Sequence, residues 1–411
     1  MSIRVKTVTL NTSTGTQDIT VSGLGTCVAA MVYYGAIADG GQRTDGGSIG
    51  VGFTDGTTEL CGVVSSENAV TTSDTYRMFN NTKFLNTIDV ATGANEVIAN
   101  FDSFITDGVR INITTASAST RTATFILFGS SSATNVDVGT SSLTGPGTID
   151  ITSVGFEPDV VFMVSTHNTP FTSTSANASF SFGFAVNDGS NTQKSSTMLD
   201  LDNQATSGCF SRVSTDKIAA QGDAGWLLTI QDFDSSGFSL NPNSNNSDVV
   251  GWLAVKLGAG ISATISSEDG PTSTGAYSVT TTGITPSIGF WTANDVTTAD
   301  SLFVTDMTLS VSAFDSTETG TVTYSVEDNV STMNCSSEYN SKFRDLTGGT
   351  TTLHDGTLSS FASDSMNFNF TTVPVSARKW SFLAIGNEPS TPGGGGGLSG
   401  AITKSYAILR G

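Results

Sequence analysis

The chain has 411 residues, too many for one ordinary core and enough for three domains of common size. Only 13% of residues are charged while 37% are hydrophobic, and Gly, Ser and Thr abound, which excludes a disordered chain and points to many short strands joined by turns. A formal net charge of −20 with only 17 basic residues excludes a nucleic-acid or anionic-lipid binder, since phosphate binding needs clustered Lys and Arg.

The N-terminal stretch Met1-Ser2-Ile3-Arg4-Val5-Lys6 lacks the apolar core of a signal peptide, and no run approaches the ~18 apolar residues that a membrane crossing needs. Synthesis in a cytoplasm is expected, with no membrane partner. The four cysteines, Cys27, Cys61, Cys209 and Cys335, show no CxxC spacing and read as buried thiols.

Taken in order, residues 6–10 and 14–21 read as strands, followed by a Gly-rich turn and the apolar strand 28–34. Residues 48–53 end in Asp55-Gly56, a tight-turn signal because Gly accepts a positive φ. A hairpin at 100–112 (NFDSFITDGVRIN) leads to the closing strand 123–129 (ATFILFG). The same order returns about 130 residues later: strands at 148–154, 159–164 and 180–186, Asp188-Gly189, and the hairpin DFDSSGFSLNP from Asp232 with its closing strand 249–257. It returns once more with strands at 277–281, 288–291 and 309–314, the hairpin 361–370 and the closing strand 380–386. Periodicity of this kind means a tandem array. The expected domains are residues 1–130, 131–260 and 261–388, each an all-β, antiparallel, jelly-roll-like sandwich of eight or nine strands. Their joints, read at 130–134 and 258–274, are short enough for a rod or compact row.

The middle of each copy carries an acid-Asn pair and, about 15 residues on, a lysine: Glu67-Asn68 with Lys83, Asp202-Asn203 with Lys217, and Asp328-Asn329 with Lys342. Recurrence in three diverged copies suits a structural cross-strand pair better than catalysis. Only His167 and His354 exist, in different copies, so zinc and Ser-His-Asp chemistry each lack parts, and no GxSxG, HExxH or phosphate-cradling loop occurs. No catalytic, metal or cofactor residue is therefore assigned. His354-Asp355 reads as a turn, and so does Asp232-Phe233-Asp234-Ser235-Ser236-Gly237, whose EF-hand likeness fails at Asn243, where a bidentate Glu is needed. Tyr33, Tyr34, Trp291 and Trp380 lie in apolar strands and read as core rather than sugar platforms.

The repeat order (Thr-Gly then an alternating strand, Gly-Phe-x-Pro-x-Val-Val-Phe, Phe-Gly-Phe with Asp-Gly, Phe-Asp-x-x-Gly-Phe-x-Leu, Trp-Leu-Ala-x-x-Leu-Gly) resembles tandem modules of tailed-bacteriophage structural proteins, especially marine ones. The resemblance spans most of residues 5–386. It implies a non-enzymatic virion component, head decoration or a tail or fibre part, whose partners are further copies, other virion proteins or a host-surface glycan at loop tips. A secreted adhesin module and, behind it, a polysaccharide-degrading enzyme are the alternatives. Residues 389–411 form a Gly-rich tether with an apolar strand, and Leu398, Ile402, Tyr406, Ile408 and Leu409 are expected to be buried against another subunit. A strand folded back on its own chain is the other reading.

Overall fold

The computed structural model describes residues 1–167, 172–221, 225–244 and 248–389, and every regular element in them is a strand. The first repeat contributes β1 (Ile3–Leu10), β2 (Gly15–Thr20), β3 (Cys27–Tyr34), β4 (Gln42–Arg43), β5 (Gly46–Thr54), β6 (Glu59–Glu67), β7 (Thr75–Asn80), β8 (Leu85–Ile88), β9 (Asn95–Ile105), β10 (Gly108–Thr115) and β11 (Arg121–Gly129). The second contributes β12 (Ala133–Ser142), β13 (Ile149–Ile151), β14 (Val160–Ser165), β15 (Ser175–Ala176), β16 (Ala178–Val186), β17 (Gln193–Asp200), β18 (Cys209–Ser214), β19 (Ala219–Ala220), β20 (Leu227–Asp234), β21 (Gly237–Pro242) and β22 (Val249–Leu257). The third contributes β23 (Ile261–Asp269), β24 (Gly275–Thr280), β25 (Thr285–Asn294), β26 (Met307–Asp315), β27 (Thr319–Val326), β28 (Cys335–Asn340), β29 (Phe343–Thr347), β30 (Thr351–Ala362), β31 (Ser365–Thr372) and β32 (Lys379–Asn387).

All three repeats share one topology. A large antiparallel sheet runs β1-β11-β3-β5-β6-β7, β12-β22-β14-β16-β17-β18 and β23-β32-β25-β26-β27-β28 in turn. A four-stranded sheet lies opposite, ordered β2-β10-β9-β8, β13-β21-β20-β19 and β24-β31-β30-β29. Each repeat is thus a sandwich of ten strands. The stretch read as a joint at 258–274 contains β23, whose Ile261, Ala263 and Ile265 alternate with Ser and Thr, and β12 opens the second repeat; both are edge strands carrying several polar residues. The recurrent hairpins form as expected, with Asp107 and Asp364 at φ 61° and 59° in their turns.

Each sandwich has its own apolar core between its two sheets: Val32, Phe84 and Phe125 in the first, Met163, Trp226 and Trp252 in the second, Trp291, Phe368 and Trp380 in the third. A fourth core joins all three through the outer faces of their large sheets. There Tyr33 meets Phe182 edge-on at 5.5 Å between centroids, and Phe162 lies 6.3 Å from Phe128 and 4.9 Å from Phe290. The rod or row expected from the joint lengths is therefore replaced by a closed arrangement in which the first and third repeats also touch. Burying the outer faces of three apolar sheets on one another removes them from water together, which a row does not do.

Candidate functional site at the junction of the three repeats

The junction is built from equivalent contacts repeated three times. The turn after each repeat's fifth large-sheet strand places a residue at positive φ: Ala69 (61°), Asn203 (54°) and Asn329 (57°). Asn tolerates this conformation better than most residues, which accounts for its use at two of the three positions. The backbone N–H groups of these residues donate to Met333, Ser73 and Ser207 carbonyls at 2.8, 2.7 and 2.9 Å, each in another repeat. The preceding side chains accept from the start of the neighbour's next strand: Asn68 Oδ1 from Cys335 N, Asp202 Oδ1 from Thr75 N and Asp328 Oδ1 from Cys209 N, all at 2.9 Å. First repeat binds third, second binds first and third binds second, so the ring closes. Replacing Asp202 or Asp328 by Ala leaves a partly buried N–H without its acceptor; each is expected to lower unfolding free energy by about 1–3 kcal/mol in urea titration.

Strand edges follow the same cycle. β4 pairs with β28 through Arg43↔Ser337, β15 pairs with β7 through Ser175↔Arg77, and Phe303 bridges Ser211 with N–H···O distances of 3.0 and 3.1 Å. Each repeat thereby covers the exposed edge of the next, as sheet edges require.

One residue from each repeat meets inside this ring. Asp200 Oδ2 accepts from Ser66 Oγ at 2.7 Å and from Tyr324 OH at 3.1 Å, and Ser66 and Tyr324 are hydrogen-bonded to each other. Burial pushes the Asp200 carboxyl up to about 7, against the lowering pull of those two hydrogen bonds; the Asp202 and Asp328 charges add to the rise. Burial also holds the Tyr324 hydroxyl well above its usual range. Tyr324 reaches this place because Gly47 of the first repeat has no side chain: a Cβ there would lie 2.4 Å from the tyrosine ring. Gly47→Ala is expected to cost about 1–3 kcal/mol by overpacking, read as a lower thermal midpoint.

The acid-Asn motif was therefore legible in sequence, but its partner was not. Structural equivalence aligns Asn68 with Asp202 and Asp328, one residue later than the motif suggests in the first copy. The lysines go elsewhere: Lys83 Nζ donates to Asn100 Oδ1 at 3.2 Å, Lys217 pairs with Asp216, and Lys342 lies 3.4 Å from Asp355. The expected cross-strand acid–lysine pair is replaced by contacts between repeats.

His354 corrects the turn reading. It sits within β30, fully buried, with Nδ1 2.9 Å from both Asp345 oxygens and its ring against Trp380. His167, in the second repeat, lies 3.6 Å from Asp248 Oδ2 and packs on Trp226. The Asp232–Gly237 turn closes β20 onto β21, with Asp234 Oδ1 accepting from Ser236 N and Oγ at 2.7 Å. Tyr33, Tyr34, Trp291 and Trp380 are all buried, and the four cysteines are free and buried. Burial pushes the Cys27 and Cys61 thiols up to about 12.

Two recesses hold carboxylates, one between the first and third repeats and one lined by the third repeat alone. One, of about 380 Å³, is lined by Thr7, Asp39, Asp315, Thr317, Glu318 and Ser341. Its Asp315 and Glu318 already accept from Val5 N and Thr7 N at 3.0 and 2.6 Å. The other, of about 510 Å³, includes Asp295, Asp306, Asp328 and Arg378; Asp295 is held by Arg378 and Thr347, and Asp306 accepts from Asp328 N at 3.1 Å. These carboxylates act as internal fasteners. Leu398, Ile402, Tyr406, Ile408 and Leu409 lie outside the described residues, as does the whole segment expected to form a tethered strand. No protein-family model and no curated protein matches this chain.

Proposed function

We propose that the chain is a non-enzymatic structural protein of a tailed-bacteriophage particle, made in the host cytoplasm and placed on the particle surface as a head decoration or a tail or fibre part. The observation that carries this reading is the closed ring of three equivalent sandwiches. Its large aromatic side chains and many carboxylates are taken up by contacts within and between repeats, as suits a rigid building unit. Three like units at fixed spacing can engage a threefold-arranged partner at three points, and such multivalency strengthens attachment without tight individual contacts. The resemblance of its order of turns and strands to tandem phage modules supports the same reading.

Quantitative mass spectrometry of washed, gradient-purified particles from a culture that produces the protein tests it. The chain is expected at a fixed ratio to the shell or tail proteins. Loss of the chain on washing, or its recovery only in the particle-free supernatant, counts against the proposal.

A further inference from the structure

The first strand of each repeat forms the outer edge of its large sheet, and the three edges are not treated alike. Val5, Val138 and Ile265 are equivalent, since they face Ile126, Leu253 and Leu383 across matching ladders. Val5 N–H donates to Asp315 Oδ2 at 3.0 Å and Thr7 N–H to Glu318 Oε2 at 2.6 Å, both from the β26–β27 turn. Val138 N–H donates to Asp55 Oδ2 at 3.1 Å, from the β5–β6 turn. The matching turn of the second repeat, between β16 and β17, is longer and folds on itself. Its Asp188 Oδ1 accepts from Ser190 N and Thr192 N at 2.9 and 3.3 Å, as Asp55 and Asp315 Oδ1 accept within their own turns, but its Oδ2, the oxygen that reaches the neighbouring edge in the other two, is taken by Thr192 Oγ1.

The edge of β23 therefore has no carboxylate cap among the described residues. Its side chains report the same difference: Val5 and Val138 are buried, whereas Ile261, Ala263 and Ile265 are only half-buried against the shared core. An edge strand with one apolar face and outward ladder groups is a ready template for one more strand.

The chain itself supplies an occupant. After β32, Glu388 N–H donates to Gly260 O at 2.9 Å and Ser262 Oγ donates to the Glu388 carboxylate, so the C-terminus leaves beside the first residues of β23. Residues 389–397 are Gly-rich in sequence, and nine residues of a Gly-rich chain reach roughly 15–18 Å on r.m.s. average and about 30 Å at most, against a strand about 30 Å long. The segment beyond, Gly-Leu-Ser-Gly-Ala-Ile-Thr, is similar in sequence to the start of β23, Gly-Ile-Ser-Ala-Thr-Ile. So short a tether gives an effective concentration on the order of millimolar, which favours the chain's own edge over that of a neighbouring subunit.

We propose that the outer edge of β23 is the docking site for this chain's own C-terminal segment, residues 398–409, added as an extra strand. Hydrogen exchange of the full chain tests it, read on peptides spanning residues 261–269 and compared with the full chain carrying Ile402→Asp and Ile408→Asp. The intact protein is expected to protect these amides at least about tenfold more than the variant, with unchanged far-UV circular dichroism and protection independent of protein concentration. Excess synthetic peptide 396–411 is expected to rescue protection in the variant. Equal exchange in the two proteins overturns the proposal. So does protection that appears only as the protein dimerises, which would make a second copy the occupant.

Discussion

Phe162→Ala is expected to lower the unfolding free energy by about 3–5 kcal/mol and to weaken all three repeats at once. The ring belongs to the second repeat, is fully buried, and stands between Phe128 of the first and Phe290 of the third. Removing it opens a cavity in the core that the three sandwiches share rather than in the core of one. Urea unfolding followed by peptide-resolved hydrogen exchange separates the two cases. Faster exchange is expected at the large sheets of all repeats, including β3, β14 and β25, whereas Met163→Ala, one residue along and facing the second repeat's own core, is expected to loosen that repeat most. If Phe162→Ala destabilised only residues 131–260, the sandwiches would be independent bodies and the shared core would contribute little.

This central core also explains how much of the fold was legible in sequence. Turn chemistry marked the hairpins and the Asp-Gly connections, so the three copies and most of their strands emerged, eight or nine each against the ten observed, while the strand order within the sheets did not. The direction in which the strands face did not. In Ala-Ser-Phe-Ser-Phe-Gly-Phe-Ala-Val of β16, alternation suggests Phe inward to its own sandwich and Ser outward to water. Instead Phe180, Phe182 and Phe184 point into the shared core, while Ser181 lies on the side of its own small sheet, with Oγ 2.9 Å from Thr197 Oγ1 and accepting from Ala220 N at 3.2 Å. Every residue of β5, β16 and β26 is buried. A buried hydroxyl row and a solvated one have the same composition, and only the presence of a second sandwich on the far side distinguishes them. The junction was hidden for a related reason. Ser66 and Asp200 are equivalent positions whose third counterpart is Val326, but Tyr324 lies two residues before Val326, so a repeat alignment does not bring the three together, whereas the recurring acid-Asn pair was visible but its bonding partner lay in another repeat.

Asp200 gives the molecule an expected dependence on pH that runs opposite to that of most carboxylates. In the unfolded chain its carboxyl returns to the ordinary value of 3.8, while in the fold burial holds it at about 7. Between these values the folded state binds more protons than the unfolded state, so stability is fully present below pH ~4 and is lost as pH rises to about 7. A difference of about three pH units corresponds to roughly 4 kcal/mol. Carboxyls held below their ordinary range act in the other sense. The Arg110 guanidinium lowers Asp18 and turn hydrogen bonds lower Asp234; at Asp248, burial pulls upward but is outweighed by His167 and Trp226. Their stabilisation is lost as pH falls, so the Asp200 contribution must be read by difference. Asp200→Asn keeps the shape and removes the proton. Its Nδ2 would meet the same unpartnered surroundings as Oδ1, a cost that does not change with pH. In urea titrations from pH 4 to pH 8, the variant is therefore expected to gain on the natural chain by roughly 4 kcal/mol across the range, whatever its offset at pH 4. Parallel curves for the two proteins would mean that Asp200 is already charged in the fold, with Ser66 and Tyr324 together outweighing its burial.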